Sequence, residues 1–229
     1  RRGMVPACFA CVCMGLTSLP AWAQYIYYSP DDHIWRVAAD GTQAQSVIDD
    51  GCLYLTVAAE LCELFWIGYT CDGAVCHRQI LRANYDGSDK RIVVDDIPIY
   101  VNDAYVQVGG VAVDTLHRKV YWVQGLPLGV QRANLDGTQI ETVAVPQITL
   151  PVDIEVDPIG GKVYWLSNSQ DSPPGILQRC DLGGGAIEQV LVIDDGIPWG
   201  LDLDLVNNKI YFSDGAIGHK GIYRTELDG

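Results

Sequence analysis

Short stretches in which apolar and polar residues alternate recur along the chain, and turn-forming residues separate them. The clearest set comprises Gly110–Asp114, Lys119–Val123, Val130–Leu135 and Glu141–Val145. Alternation over about four to eight residues, bounded by Gly, Asp or Asn, is typical of β-strands. We find no stretch of about ten residues with helical periodicity. The pattern therefore predicts an all-β chain.

The strand signals repeat as a larger unit. An Asp stands seven residues before an aromatic pair in three copies, at Asp114, Asp157 and Asp204. A second unit, Arg followed five residues later by Gly, begins at Arg36, Arg82, Arg132, Arg179 and Arg224, with intervals of 46, 50, 47 and 45 residues. Four short antiparallel strands at this period indicate the blades of a β-propeller, of which about five are recognisable.

The repeated residues resemble a known family. Gly110–Asp114, followed by Lys119–Trp122 and Arg132–Gly137, is similar to the YWTD (class B) repeat of the low-density-lipoprotein receptor family, which also has extracellular and bacterial relatives. The second copy departs from it, with Ala58 in place of the Asp and Phe65 in place of the Tyr. The resemblance implies a six-bladed ring that binds protein ligands without catalysis.

The resemblance covers nearly all of a domain over residues 24–229. The first copy begins only at Tyr25, so we expect the first blade to have no inner strand of its own. The last copy ends after its third strand. We therefore expect a propeller that is incomplete at its C-terminus, either as a truncated piece or as a ring completed by another chain. A five-bladed ring is the remaining alternative, and it would need a tighter closure than these strands supply.

The first 23 residues differ in composition from the rest. Arg1 and Arg2 precede a mostly apolar, uncharged stretch, and Ala21-Trp22-Ala23 resembles a cleavage site. This pattern predicts a signal peptide over residues 1–23 and a mature chain that is secreted, periplasmic or extracellular. No later run of about 18 apolar residues follows, so we expect no membrane insertion of the mature chain.

The net charge of −14 disfavours nucleic acid and anionic membranes as partners, because both require basic patches. Export makes disulfides plausible. Cys71 and Cys76 flank a turn-rich loop and are expected to pair, and Cys52 and Cys62 could pair across a hairpin. Cys180 is then left over as a small buried hydrophobe.

The repeated Asp and Arg positions admit two interpretations. Three Asp residues at the ends of inner strands could form a central metal or substrate site, or they could make one structural hydrogen bond per blade to the neighbouring blade. Recurrence at identical spacing favours the structural interpretation, because a catalytic site needs unlike groups in different roles. The same reasoning makes the repeated Arg residues structural.

Unlike residues on the connecting loops are the better binding candidates. Acidic pairs follow three outer strands, at Asp49-Asp50, Asp95-Asp96 and Asp194-Asp195. If these links share one face of the ring, that face presents carboxylates, either as solvated turns or as a surface for a cation such as calcium or a basic partner. Trp199 and Tyr105 would add aromatic side chains to the same rim.

No nucleophile, nucleotide-binding or zinc-binding motif occurs in the sequence. We therefore expect a non-catalytic domain without a cofactor that binds a protein or a carbohydrate. The alternative is a calcium-dependent propeller enzyme of the lactonase or lyase type, which would need a metal held by unlike residues. Further blades or domains outside this chain would be additional partners.

Overall fold

The computed structural model describes residues 8–9, 25–30, 33–72, 75–101, 104–125, 129–145, 150–169, 172–216, 218 and 220–229. The chain forms two compact units, Arg1–Pro98 and Ile99–Gly229.

The first unit contains two four-stranded sheets whose strands pair in chain order. The first sheet comprises β1 (Cys8–Phe9), β2 (Tyr25–Ser29), β3 (Ile34–Ala38) and β4 (Gln45–Ile48). The second comprises β5 (Tyr54–Ala58), β6 (Glu63–Asp72), β7 (Val75–Asn84) and β8 (Arg91–Ile97), with a 3-10 turn at Ala59–Leu61 between its first two strands.

The second unit begins with a two-stranded sheet of β9 (Tyr100–Val101) and β10 (Ala104–Tyr105). Two four-stranded sheets and one three-stranded sheet follow, again paired in chain order. They comprise β11 (Val108–Asp114), β12 (Lys119–Gln124), β13 (Gly129–Asn134) and β14 (Glu141–Ala144); β15 (Leu150–Asp157), β16 (Lys162–Ser169), β17 (Ser172–Asp181) and β18 (Glu188–Ile193); and β19 (Pro198–Asp204), β20 (Lys209–Asp214) and β21 (Gly221–Glu226).

Every sheet is antiparallel, and the prediction of an all-β propeller built from repeated blades is confirmed. In the uncleaved chain the expectation for the first blade is wrong, because β1 pairs with β2 in the inner-strand position, with Cys8 opposite Ser29 and Phe9 opposite Tyr28. This strand lies within residues 1–23, so a chain that begins at Gln24 would lack it. The last blade has three strands among the described residues, as its sequence copy indicates.

Apolar residues from successive sheets form the cores. In the first unit Tyr27 and Ile34 pack with Trp66 of the next sheet. In the second unit Tyr121 packs with Trp165. These aromatic side chains are at most 2% exposed. Because burying a large aromatic side chain contributes roughly 1.5–3 kcal/mol, the faces between neighbouring sheets supply much of the stability.

A polar clasp reinforces these faces. The hydroxyl of Tyr121 donates to the carbonyl oxygen of Leu182 in the next sheet at 3.3 Å, and the Arg132 guanidinium donates to the same oxygen at 2.8 Å. Tyr164 and Arg179 repeat the arrangement on the carbonyl of Leu227. The repeated Tyr and Arg thus bind one backbone oxygen of the following blade.

The turn glycines make a second contact between blades. Gly184 has φ +91°, and a Cβ there would lie 2.7 Å from the carbonyl oxygen of Val143 in the preceding sheet. Gly87 and Gly229 approach Val47 and Val190 in the same way. A glycine is required because it alone tolerates both the positive φ and the close approach.

Candidate functional site

The three repeated Asp residues stabilise turns. Asp114 accepts the backbone N–H of His117 at 2.8 Å, and its other oxygen lies 2.8 Å from His117 Nδ1. Asp157 accepts the N–H groups of Ile159 and Gly160. Asp204 accepts the backbone and side-chain N–H groups of residue 207. The expected hydrogen bond to a neighbouring blade is therefore wrong, because each carboxylate closes the hairpin of its own blade.

The repeated Arg residues make local and inter-blade contacts. Arg132 and Arg179 each pair with a Glu on the outer strand of their own blade, at 2.7 Å to Glu141 and 2.7 Å to Glu188. In the first unit Arg36 lies over the Tyr25 ring at 4.8 Å, and Arg82 lies 3.5 Å from Glu63. Arg224 pairs with Tyr211 in the ladder of β20 and β21, and its residue is exposed.

Two of the acidic pairs lie in the first unit, and their carboxylates already have protein neighbours. Asp49 accepts the Ser46 hydroxyl at 2.7 Å, and Asp50 lies 3.2 Å from Lys90 Nζ. Asp95 accepts from Gln79 Nε2 at 2.5 Å. Asp96 has φ +54° and lies 3.5 Å from His77 Nδ1. This second pair lies inside β8, so the prediction that it follows the outer strand is wrong.

The third pair, Asp194-Asp195, lies in the second unit on an exposed turn directly after β18. Trp199 follows on β19 with 43% of its surface exposed, and its indole packs against Gly215, where a Cβ would lie 2.5 Å from Nε1. We call residues 194–199 the acidic-aromatic loop. Glycine is needed at position 215 because any side chain would displace the indole.

Buried Asp214 fixes the shape of this loop. One oxygen accepts the N–H of Ile197 at 2.9 Å and the N–H of Ala216 at 2.9 Å. The Gly215 N–H donates to the Ile197 carbonyl at 3.0 Å. Two hydrogen bonds therefore join the loop to the end of β20, and the third, from Ala216, fixes the Asp214 carboxylate itself. The sequence signal for this support is the last residue of the YWTD-like motif in β20, which sequence reasoning had not assigned to the site.

Tyr105, the other predicted aromatic, lies on β10 and is 59% exposed. The structure thus places Asp194, Asp195 and Trp199 on one loop, and Tyr105 on a separate two-stranded sheet of the same unit.

A second acidic cluster lies on the neighbouring inner strands β15 and β19, and sequence reasoning missed it. Asp153 accepts the N–H of Leu201 at 2.9 Å and that of Ile154 at 3.0 Å. It packs against the bare Cα of Gly110 on β11, where a Cβ would meet its oxygen at 1.9 Å. Asp153 therefore joins β15 to β19 and fills the space that the glycine leaves.

Burial raises the pKa of Asp153 from its ordinary value of 3.8 to about 7. Repulsion from Asp202 also raises this pKa, whereas the hydrogen bonds from the two N–H groups lower it by less than burial raises it. Burial likewise raises the pKa of Glu155 well above its usual range, with repulsion from Asp153 and Asp202 contributing. The signal in the sequence was the alternation of acidic residues at 153 and 155, which places both on one face of the strand. The alternation alone does not raise these pKa values, because the burial and the repulsion also depend on the neighbouring strand β19.

The cysteines differ from expectation in one pair. Cys52 and Cys62 are not disulfide-bonded, so the expected bond between them is absent. Cys71 is disulfide-bonded, and Cys76 is its cross-strand neighbour in the register of β6 and β7. Cys180 is fully buried, and burial raises the pKa of its thiol to about 11.

No group of three or more His, Cys, Asp or Glu side chains within the described ranges is arranged to hold a metal ion. In the same ranges we find no helix with the length and apolar character needed to cross a membrane.

The fold defines the chain as a β-propeller, and comparison with solved structures agrees. The structure of a nidogen/laminin complex aligns with a TM-score of 0.72 over 90% of this chain and 78% of that one, at 19% identity. A putative TolB from Agrobacterium tumefaciens aligns with a TM-score of 0.68 over 90% and 74%, at 10% identity. A gluconolactonase from Xanthomonas campestris aligns with a TM-score of 0.60 over 84% and 66%, at 17% identity.

Sequence comparison is more limited. No family model matches the chain. Protein cueball of Drosophila grimshawi is 34% identical over 64 residues, which are 27% of this chain and 11% of that protein. The match therefore spans about a tenth of that relative's length. The similarities establish the fold, which is shared by binding proteins and enzymes.

Proposed function

We propose that this chain is an exported, YWTD-type β-propeller that binds a protein ligand without catalysis, and that the acidic-aromatic loop contacts that ligand. The repeats from Asp114 to Gly229 support the family assignment, and the composition of residues 1–23 supports export. The structural likeness to a nidogen/laminin complex supports a protein as the ligand, because that structure is of two proteins bound together.

The observation that carries the proposal is the fixed shape of the acidic-aromatic loop. A large aromatic side chain that is 43% exposed, yet held against Gly215, can enter a partner's pocket at a small entropic cost. The carboxylates of Asp194 and Asp195 adjoin it in the sequence, and the chain carries a net charge of −14. A ligand with a basic rim around an apolar pocket fits this loop.

The test compares two variants of the chain as bait for purified secreted proteins in surface plasmon resonance. Trp199→Ala combined with Asp194→Asn and Asp195→Asn should weaken binding of a captured protein at least tenfold, because a central aromatic anchor contributes about 2 kcal/mol or more. The matched control is Leu116→Ala, which truncates a side chain that is 63% exposed on another hairpin of the same unit. Equal affinity of both variants, or capture of glycans alone, would contradict the proposal.

Two further measurements test export and the absence of catalysis separately from ligand binding. N-terminal sequencing of exported protein should begin at Gln24, and retention of residues 1–23 would oppose the signal-peptide assignment. Calcium titration followed by thermal unfolding addresses the enzyme alternative, because tight stabilisation at a single site would favour a metal-dependent enzyme.

A further inference from the structure

A buried carboxyl group lies in the junction between the inner strands β15 and β19. Asp153 on β15 accepts the backbone N–H of Leu201 on β19 at 2.9 Å, and its other oxygen accepts the N–H of Ile154 at 3.0 Å. Because β15 and β19 belong to different sheets, this side chain joins two neighbouring blades. Any opening of the junction that breaks the contact also brings the carboxyl group to water.

The neighbouring strands make room for this side chain. A Cβ on Gly110 of β11 would clash with one oxygen of Asp153, and a Cβ on Gly200 of β19 would lie 4.0 Å from the other. Beside the carboxyl group, Val152 and Leu201 pack in one apolar cluster, and each is 6% exposed. These contacts keep the carboxyl group between the strands while the junction is closed.

The charged side chains of the surrounding inner strands are all acidic. The strands β11, β15 and β19 contain Asp and Glu but no Lys, Arg or His. Glu155 is two residues beyond Asp153 and lies on the same face of β15. Asp202 occupies the position on β19 that Glu155 occupies on β15, since each lies opposite a Tyr of the next strand. The charged residue of β11, Asp114, caps its own hairpin.

Cations on the paired strands lie away from Asp153. The strands β12, β16 and β20 each begin with a Lys opposite the turn Asp of the same blade, at 119, 162 and 209. The residue of β16 opposite Asp153 is Leu166. Lys162 forms ion pairs with Asp181 and Glu188, and Lys209 with Glu226. The remaining charged residue of β20, Asp214, accepts the N–H of Ile197. None of these strands therefore places a cation opposite Asp153.

Ionisation of Asp153 is consequently unfavourable while the junction is closed. Burial, with repulsion from Asp202, raises its pKa to about 7, and burial raises the pKa of Glu155 well above its usual range. When water reaches Asp153 in an open junction, its pKa returns toward 3.8. At neutral pH opening therefore releases a proton to water, and a rise in pH favours the open form.

We propose that Asp153 is a pH-sensitive switch: with its proton it holds β15 and β19 together, and loss of the proton opens the junction and exposes the apolar cluster around Val152 and Leu201. The opening is local, because it breaks the contact between two sheets and leaves the hydrogen bonds within each sheet in place. The switch does not depend on a ligand or on the acidic-aromatic loop.

Hydrogen exchange read by two-dimensional NMR on the 229-residue chain tests the switch. The protection of the Leu201 amide, corrected for the pH dependence of chemical exchange, should fall by about tenfold or more between pH 5 and pH 8. At both pH values it should stay below the protection of the slowest amides of β12, because local opening requires less free energy than unfolding. Binding of the dye ANS should rise over the same range as the apolar cluster becomes exposed.

Variants assign the effect to the carboxyl group. Asp153→Asn should reduce the fall in Leu201 protection by about threefold or more, and Asp153→Asn combined with Glu155→Gln should abolish it. Asp136→Asn, at an exposed turn of another sheet, is the control and should keep the full fall. Melting curves check that each variant folds. The proposal fails if Leu201 keeps its protection at pH 8, if Asp153→Asn shows the full fall, or if Leu201 and the slowest amides of β12 are equally protected, since global unfolding alone would then explain the exchange.

Discussion

Asp153 should make the stability of this protein fall as the pH rises through neutrality. Its carboxyl group joins β15 to β19, and burial raises its pKa from 3.8 to about 7. The folded state therefore binds this proton more tightly than the unfolded state does. The stabilisation is complete below the unfolded pKa and is lost as the pH rises from about 4 through about 7.

The size of the effect follows from the pKa values. Each pKa unit corresponds to about 1.4 kcal/mol, so the change from 3.8 to about 7 gives an upper bound of about 4 kcal/mol. The side chain keeps some accessible surface, which lowers the actual value. For a chain of this size about 1 kcal/mol moves the melting temperature by about 2–4 °C. We expect the wild type to melt about 5–10 °C lower at pH 8 than at pH 5.

Asp153→Asn should reverse the order of stability. The N–H groups of Ile154 and Leu201 donate to different oxygens of Asp153. Asn is neutral throughout but has one acceptor oxygen, so at pH 5 the variant should be less stable than the wild type by about 1 kcal/mol. At pH 8 it should be the more stable of the two, because no buried charge forms at position 153 and none there repels Glu155. Circular dichroism melts across this range measure both curves. Asp136→Asn, at an exposed turn carboxylate, is the control and should keep the wild-type slope. If Asp153→Asn loses as much stability as the wild type between the two pH values, the reasoning is refuted.

Three further predictions concern stability and reactivity. Gly184→Ala should lower the free energy of unfolding in urea by about 1–3 kcal/mol, because φ is positive and the new Cβ would lie 2.7 Å from a carbonyl oxygen. The control is Gly183→Ala, which has open space around it and should change the free energy of unfolding by less than about 0.5 kcal/mol. Arg132→Met should cost about 1–3 kcal/mol in the same assay, since it removes the donor of the inter-blade clasp, and an unchanged midpoint would show that the clasp contributes nothing. Cys180 should resist alkylation in the folded chain while Cys62 reacts, as read by peptide mass mapping, and rapid labelling of Cys180 would contradict its burial.

The strands and their grouping into blades could be predicted from the sequence alone. Period-two alternation and turn residues are local properties, and a repeat of about 45 residues multiplies a weak local signal into a reliable one. Recurrence at fixed spacing also showed that Asp114 and Arg132 are repeated at equivalent positions of other blades. Sequence spacing could not tell which groups those side chains contact, and the Asp proved to close its own hairpin while the Arg reaches the next blade.

Properties that depend on neighbouring strands became visible only in the folded structure. The pKa of Asp153 is raised because packing against β11 and β19 buries it, although its position in the sequence alternates like any exposed carboxylate. The absence of a disulfide between Cys52 and Cys62, and the hydrogen bond from Ile197 to Asp214, likewise depend on how residues distant along the chain are placed. Local pattern fixes a strand because the backbone geometry is local, whereas burial, charge coupling and edge exposure arise only when the sheets pack together.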